Sequence, residues 1–174
     1  MPDWTTPKTW VSGEAVTAAE LNTHLRDNLG HLRAARHAIL GMLSSPSVSA
    51  SSWYAIAWEF AAVETIEVWA ASPYPDRIAP SVAGYYLVQT RVTWPASTDG
   101  NRACRLLLNG TTTVAQDTRA AISNTHNTST QQVVYCNGAG DYLAVQAWHN
   151  AATAQTLANA AAPVTNCSVI WLGA

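Results

Sequence analysis

Charge is scarce in this chain of 174 residues. Lysine and arginine number nine, aspartate and glutamate eleven; together they make 11% of the sequence, with a formal net charge of −2. Lysine itself occurs once, as Lys8. So thin and balanced a charge leaves no electrostatic footprint for nucleic acid or for insertion into an anionic membrane. Cysteine is sparse too: Cys104, Cys136 and Cys167 have no CxxC or other metal-type spacing, and an odd number cannot all pair within one chain. Each falls in a strand-like run, where it reads as a small buried hydrophobe. No apolar run approaches the ~20 residues of a membrane span. Residues 1–16 lack a basic start followed by an apolar stretch, so no leader peptide is expected there. No cofactor or metal is expected either. What the chain has in quantity is apolar residues, 48%, enough for a packed core and too many for disorder. The length suits one domain with an appendage.

The appendage is visible in the stretch TPKTWVSGEAVTAAELNTHLRDNLGHL. Thr17 is a good helix N-cap, and Glu20 stands where it closes a capping box; Val16 and Leu21 are placed as a hydrophobic staple. The pattern predicts a helix over 18–43, stopped by Ser44, Ser45 and Pro46. Its apolar positions fall on a narrow seam. Asn22, Leu29, Arg36 and Leu43 take a, and Leu25, Leu32 and Ile39 take d, over about three heptads. Asn22 and Arg36 are polar seam residues of the kind that fix register and strand number at some cost in stability. Residues 17–44 are therefore expected to form a coiled coil. An amphipathic helix lying on its own β-domain is the competing reading, but such helices usually show a wider face. His24 and His31 are seven apart, which is not a chelating spacing on a helix. Ahead of the cap, Trp4 and Trp10 have no periodic partner, and Pro2, Pro7 and Gly13 break any regular structure. Residues 1–16 thus read as an extended docking segment with little fold, Trp4, Pro7 and Trp10 entering pockets on another protein. A fold-back of the two tryptophans onto the helix is the alternative.

From residue 53 the period changes to two. Tyr54, Ile56, Trp58 and Phe60 alternate with Ala55, Ala57 and Glu59. Further strands are predicted over 85–94, 102–108, 112–119, 131–136, 141–148 and 164–172, with a weaker one over 65–69. Turn signals separate them, among them SPYPD, PASTDGN, Asn109-Gly110 and NGAGD. Seven or eight short strands imply an antiparallel sandwich or barrel. Several strands are apolar on both faces. Tyr85 and Leu87 oppose Tyr86 and Val88; Tyr142 and Trp148 oppose Leu143 and Val145; Ile170 and Leu172 oppose Val169 and Trp171. A sandwich buries one face of each sheet, so Trp58, Tyr85, Leu87, Tyr142, Trp148, Ile170 and Leu172 are expected to meet a second subunit.

The runs AGYYLVQTRVTW, RLLLNG, AGDYLAVQAW and the last strand NCSVIWLGA resemble the jelly roll of the complement globular-head and tumour-necrosis-factor superfamily. That resemblance implies a homotrimer whose first and last strands lie together near a threefold axis. The N-terminal string is similar to the leading segment of tail or minor structural proteins of phages that infect actinobacteria, which join such a segment to such a jelly roll. Together the two cover most of the chain. They imply a mainly β fold: an antiparallel jelly-roll head over 53–174, a linker over 45–52, a trimeric coiled coil over 17–44 and a docking segment over 1–16. Collagen-type Gly-X-Y repeats, found before the head in some members, are missing here; the coiled coil would serve in their place.

The function so implied is that of a non-enzymatic trimeric virion protein, a tail fibre or minor tail protein that attaches to the host surface. Other virion proteins would be partners through the N-terminus, and a host cell-surface glycan would bind at polar loops. Candidate ligand residues are Asp99 and Asn101 in 96–101, Asn124, His126 and Asn127 in 121–130, and His149, Asn150 and Asn159 in 149–160. Capsid decoration or a head fibre is the alternative site of use. A cell-wall depolymerase is a remote third, because no pair of carboxylates stands out as acid and base and neither GxSxG nor HExxH occurs.

Overall fold

The computed structural model describes residues 5–33, 36–158 and 165–173, with backbone alone over 31–33. The chain divides into two compact units, Met1–Ala35 and Arg36–Ala174. In the first, Thr17 caps the helix as its sequence predicts. Its Oγ1 accepts the Glu20 N–H at 3.2 Å, and Glu20 Oε2 accepts the Thr17 N–H at 2.9 Å. The helix then runs through α1 (Ala18–Leu21), a wider-wound π stretch (Asn22–Asp27) and α2 (Asn28–Arg33). None of the described helices is long and apolar enough to cross a membrane.

The second unit is an antiparallel sandwich. Its strands are β1 (His37–Gly41), β2 (Ser47–Val48), β3 (Tyr54–Ala55), β4 (Phe60–Glu64), β5 (Arg77–Ile78), β6 (Gly84–Trp94), β7 (Asn101–Leu108), β8 (Thr112–Ala120), β9 (His126–Cys136), β10 (Leu143–His149), β11 (Gln155–Thr156) and β12 (Asn166–Gly173). The first sheet has the order β4-β1-β12-β6-β9; the second has β3-β10-β7-β8, with β5 also on β10; β2 and β11 form a small ribbon. The sequence dictates the inward set. Along β6, Tyr86, Val88, Val92 and Trp94 alternate into a core that also takes Leu40, Leu106, Leu143, Val145, Cys167 and Val169. Asn109 and Gly110, both at positive φ, turn β7 tightly into β8. The stretch from Tyr54 to Phe60 reads as one strand but crosses between the layers. β3 belongs to the second sheet and β4 to the first, and Ile56 and Trp58 fill the core at the crossing.

The first strand lies where a coiled-coil helix is expected from the heptad pattern. Helical structure ends at Arg33 among the described residues, and His37–Gly41 pairs antiparallel with β12 on one side and β4 on the other. Ile39 therefore sits opposite Ser168 and Val63, not on a helical seam. Arg36 lies over the Trp171 ring at 5.3 Å, and its carbonyl accepts the Trp171 N–H. Leu43 is past the strand and exposed; its N–H is held by the Glu59 carboxylate, as is the Ser44 N–H at 2.8 Å. The physical reason is that a five-residue apolar run satisfies a heptad and a strand equally well. Pairing on two sides satisfies the whole backbone and buries Ala38 and Leu40 completely, whereas a few heptads supply little. Gly41 was the available signal. A Cβ there would lie 2.4 Å from the end of the Phe60 ring, so a larger residue would require that ring to shift. The expected linker 45–52 likewise contains β2, so the head begins some fifteen residues earlier than 53. The predicted strand at 65–69 is loop whose Ile66 and Val68 are buried.

Leu40→Ala should destabilise the sandwich by about 2–5 kcal/mol, as for a large-to-small core change. Leu43→Ala should cost less than about 0.5 kcal/mol. Urea denaturation measures both, and the opposite ranking would restore the helical reading of this segment.

Candidate functional site

The outer face of the first sheet carries a group of exposed apolar side chains. Register builds it strand by strand. Tyr85 on β6 faces Tyr135 on β9, their rings edge to face at 5.4 Å. In the next row Leu87 lies between Val133 and Ile170, and His37 follows on β1. Val63 and Ile39 pair one row further along. Val63, Tyr85, Val133, Tyr135, Ile170 and Leu172 are each 37–54% exposed, although apolar. Polar Gln89, Gln131 and Ser168 bound the patch at the next cross-strand row. An apolar surface with a polar border is what an interface between subunits needs.

Four of the predicted interface residues, Tyr85, Leu87, Ile170 and Leu172, meet on this face. Three do not. Trp58 is 1% exposed, wholly inside the core, where its bulk fills the sandwich corner. Tyr142 and Trp148 belong to the second sheet, Tyr142 beneath Arg77 and Trp148 against Trp53 at 6.1 Å. Apolar alternation on a strand identifies two faces but not the sheet, and here it merged faces from opposite layers. Val133, Tyr135, Ile39 and Val63 were missed, though the alternation in QQVVYC carries the signal for the first two.

The ligand loops come together, but their polar groups are engaged with one another. Asn150 Oδ1 accepts the Asn101 N–H at 2.5 Å, Asp99 Oδ2 accepts the Ala152 N–H at 2.7 Å, and the Asn150 N–H reaches Asn101 O at 3.3 Å. His149 is buried between Val48 O, 2.8 Å from Nε2, and the Ala151 N–H, 3.2 Å from Nδ1. Nδ1 must accept, so Nε2 carries the proton and the ring is neutral. His126 is buried with Nδ1 near Asn124 O, and Asn127 accepts from Thr93 Oγ1 at 2.6 Å. Asn101 and Asn124 of this set stand exposed without a side-chain bond among the described residues, Asn101 being held through its backbone alone. The side chains of Asp99, Asn127, His126, His149 and Asn150 are therefore loop staples and core groups. Polar composition suits both roles, and only the loop geometry separates them. Asn159 lies outside the described residues.

The docking segment is folded more than its composition implies. Asn28 clamps the Thr5 backbone: Oδ1 accepts its N–H at 3.0 Å, and Nδ2 donates to its carbonyl at 2.8 Å. Lys8 binds Glu14 and Glu20 and lies 4.8 Å from the Trp10 ring, which meets His24 edge-on at 6.3 Å. Trp10 thus packs on the unit's own helix, and Pro7 is exposed. Trp4 and the Leu32 side chain lie outside the described residues. Leu25 and Leu29 are exposed along the helix, as is Asn22.

No cluster of three or more His, Cys, Asp or Glu suited to a metal occurs among the described residues. The thiols are free and buried; burial pushes Cys104 and Cys136 up to about 11 and Cys167 further. None is a thiolate nucleophile near neutral pH.

With this geometry in hand, comparison with solved structures places the fold. The fold resembles the tumour-necrosis-factor and complement-head jelly roll, an antiparallel sandwich whose first and last strands are neighbours. It matches murine APRIL at pH 5.0 with a TM-score of 0.63 and 14% identity, over 80% of this chain and 100% of that one. It matches the Eiger TNF of S. frugiperda at 0.59 with 16% identity, over 81% and 94%. The globular domain of zebrafish complement 1qA follows at 0.58 and 8%, over 80% and 98%. No family model and no curated protein matches the chain.

Two outcomes follow. Lys8 and the Thr17 bonds lower the Glu20 carboxylate from 4.5 to about 2. The capping box is therefore intact above the ordinary carboxylate range and lost as pH falls through about 2. The Thr17 amide resonance should titrate with that low midpoint; a midpoint near 4.5 would mean that Lys8 does not hold Glu20. Separately, a thiol reagent should label none of the three cysteines in native protein and all three in denaturant. Rapid native labelling would place a cysteine outside the core.

Proposed function

We propose that the chain is a non-enzymatic, trimeric virion protein, of the tail-fibre or minor-tail type, that assembles through its jelly-roll head and presents it to the host surface. The observation that carries the assembly is the apolar outer face of the first sheet. Six large apolar side chains at 37–54% exposure are costly to leave in water and are arranged to meet a second copy. The jelly-roll fold fits the same reading, since the superfamily resemblance implies a threefold assembly beside the first and last strands. Leu25 and Leu29, exposed on the helix, offer a weaker second contact near the front of the chain. The virion assignment rests on the N-terminal string and its likeness to phage structural proteins. Immunogold labelling of particles distinguishes a tail position from capsid decoration.

Sedimentation equilibrium should give about three times 18.6 kDa for the whole chain. The 36–174 unit alone should also assemble, because an obligate interface of ~2,000 Å² or more outweighs a short helix. Ile170→Asp should weaken assembly at least ~30-fold (~2 kcal/mol) while leaving the sandwich folded. A monomer at micromolar concentration, or an Ile170→Asp protein that assembles unchanged, would contradict the proposal.

A further inference from the structure

The outer face of the second sheet carries an unassigned arrangement of cations and aromatic rings. Along β10 and the residue before it, Tyr142, Ala144, Gln146 and Trp148 alternate to this face. β5 brings Arg77 opposite Ala144 on one side, and β7 brings Arg105 opposite Gln146 on the other. The Arg77 guanidinium lies 3.9 Å from the Tyr74 ring centroid and 4.2 Å from that of Tyr142. Arg77 therefore lies within close cation–π reach of both rings. Ala70, Ser72, Pro73, Ala79 and Gly140 complete the walls of a cavity of about 160 Å³ around it. Arg105 lies 3.9 Å from the Trp53 ring, and Trp53 packs on Trp148. Arg105 Nε and Nη2 donate to Gln146 Oε1 at 2.8 and 2.6 Å.

Neither guanidinium has a carboxylate partner among the described residues. Asp76, which precedes Arg77 in the chain, forms no ion pair with it among the described residues, and Asp141, beside Tyr142, is engaged by the Asn109 Nδ2 and the Asn137 N–H. In a chain with nine cations, two are thus held by aromatic faces with no carboxylate among the described residues to meet them. Stacking orients a guanidinium and blocks its faces but leaves its N–H edge open in the plane. The partner that fits is planar, anionic and bidentate, which is a carboxylate. The cavity is small and open to solvent, so it would take one end or one unit of a longer ligand that continues over the surface. Two strand spacings and two residues separate the arginine backbones, about 12 Å. A chain with a carboxylate on alternate or successive rings spans that distance. The half-exposed Tyr and Trp faces suit the C–H surface of a sugar.

We propose that this face binds a carboxylate-bearing oligosaccharide, with one carboxylate received by Arg77 beside Tyr74 and Tyr142 and the chain continuing over Trp53 and Trp148 to Arg105. The site deepens the attachment reading and rests on it for its biological use. It lies on the second sheet, whereas the assembly face lies on the first.

The test uses the full chain, with trigalacturonate as probe, neutral trigalactose and triglutamate as controls, and NMR shift mapping with calorimetry as readouts. Trigalacturonate should bind in the millimolar range or tighter and move the Tyr74, Arg77 and Tyr142 resonances; the two controls should not. Arg77→Gln should weaken binding about tenfold or more, and Arg77→Lys nearly as much, because the charge is kept but the fork is lost. Arg105→Gln, at a second place on the face, should weaken it several-fold, so the test survives should Arg77 variants fold poorly. No binding at about 10 mM would overturn the site. So would equal binding of trigalactose, equal or tighter binding of triglutamate, or an Arg77→Gln protein that binds as the parent does. An assembled protein that binds no trigalacturonate refutes this inference and leaves the assembly standing. A monomer that binds it does the reverse.

Discussion

The ladder between His37–Gly41 and Asn166–Gly173 is the contact on which the rest of the sandwich depends. It joins strands from the two ends of the 36–174 unit, so it fixes the most distant residues of the fold. It places Leu40 and Val169 together in the core. On the opposite side it brings His37 and Ile39 beside Ile170 and Ser168, and β6 on the far edge of β12 adds Leu87 and Tyr85. Without β1 the first sheet would end at β12 with an unpaired edge, which invites uncontrolled association. With β1 and β4 in place the same sheet offers a broad apolar face instead, and a face can be self-limiting where an edge is not.

What the sequence made legible follows from how local each signal is. The capping box at Thr17 and Glu20 needs four residues and was read correctly, as was the Asn109-Gly110 turn. The inward residues of β6 follow from alternation along the strand, which holds until Val92, Thr93 and Trp94 are all buried. The helix end was missed because His37–Gly41 carries too few residues to separate periods of two and 3.6, and the deciding partner, β12, lies more than a hundred residues away. The layer to which Tyr142 and Trp148 belong is also non-local, for it depends on which strands pair. The rows that join Val63, Ile39, Leu87 and Val133 became visible only with the register.

Polar residues tell a matching story. Asp99, Asn101, His149 and Asn150 look like ligand donors by type, yet they staple neighbouring loops. Buried polar groups must find partners, and the cheapest partners are adjacent backbone amides. The residues left without such partners are the informative ones. Arg77 and Arg105 are cations in aromatic settings that no carboxylate among the described residues completes.

The central claim is that the outer face of the first sheet is covered in the working protein. Tyrosine reactivity tests it directly. In the single chain Tyr74, Tyr85 and Tyr135 are almost equally exposed, at 53%, 51% and 50%. Tyr74 belongs to the arginine cavity on the second sheet, and the other two to the proposed assembly face. Hydroxyl-radical footprinting of the native protein should oxidise Tyr74 readily and protect Tyr85 and Tyr135. Equal oxidation of all three would mean that the face stays open to water, and would contradict the account.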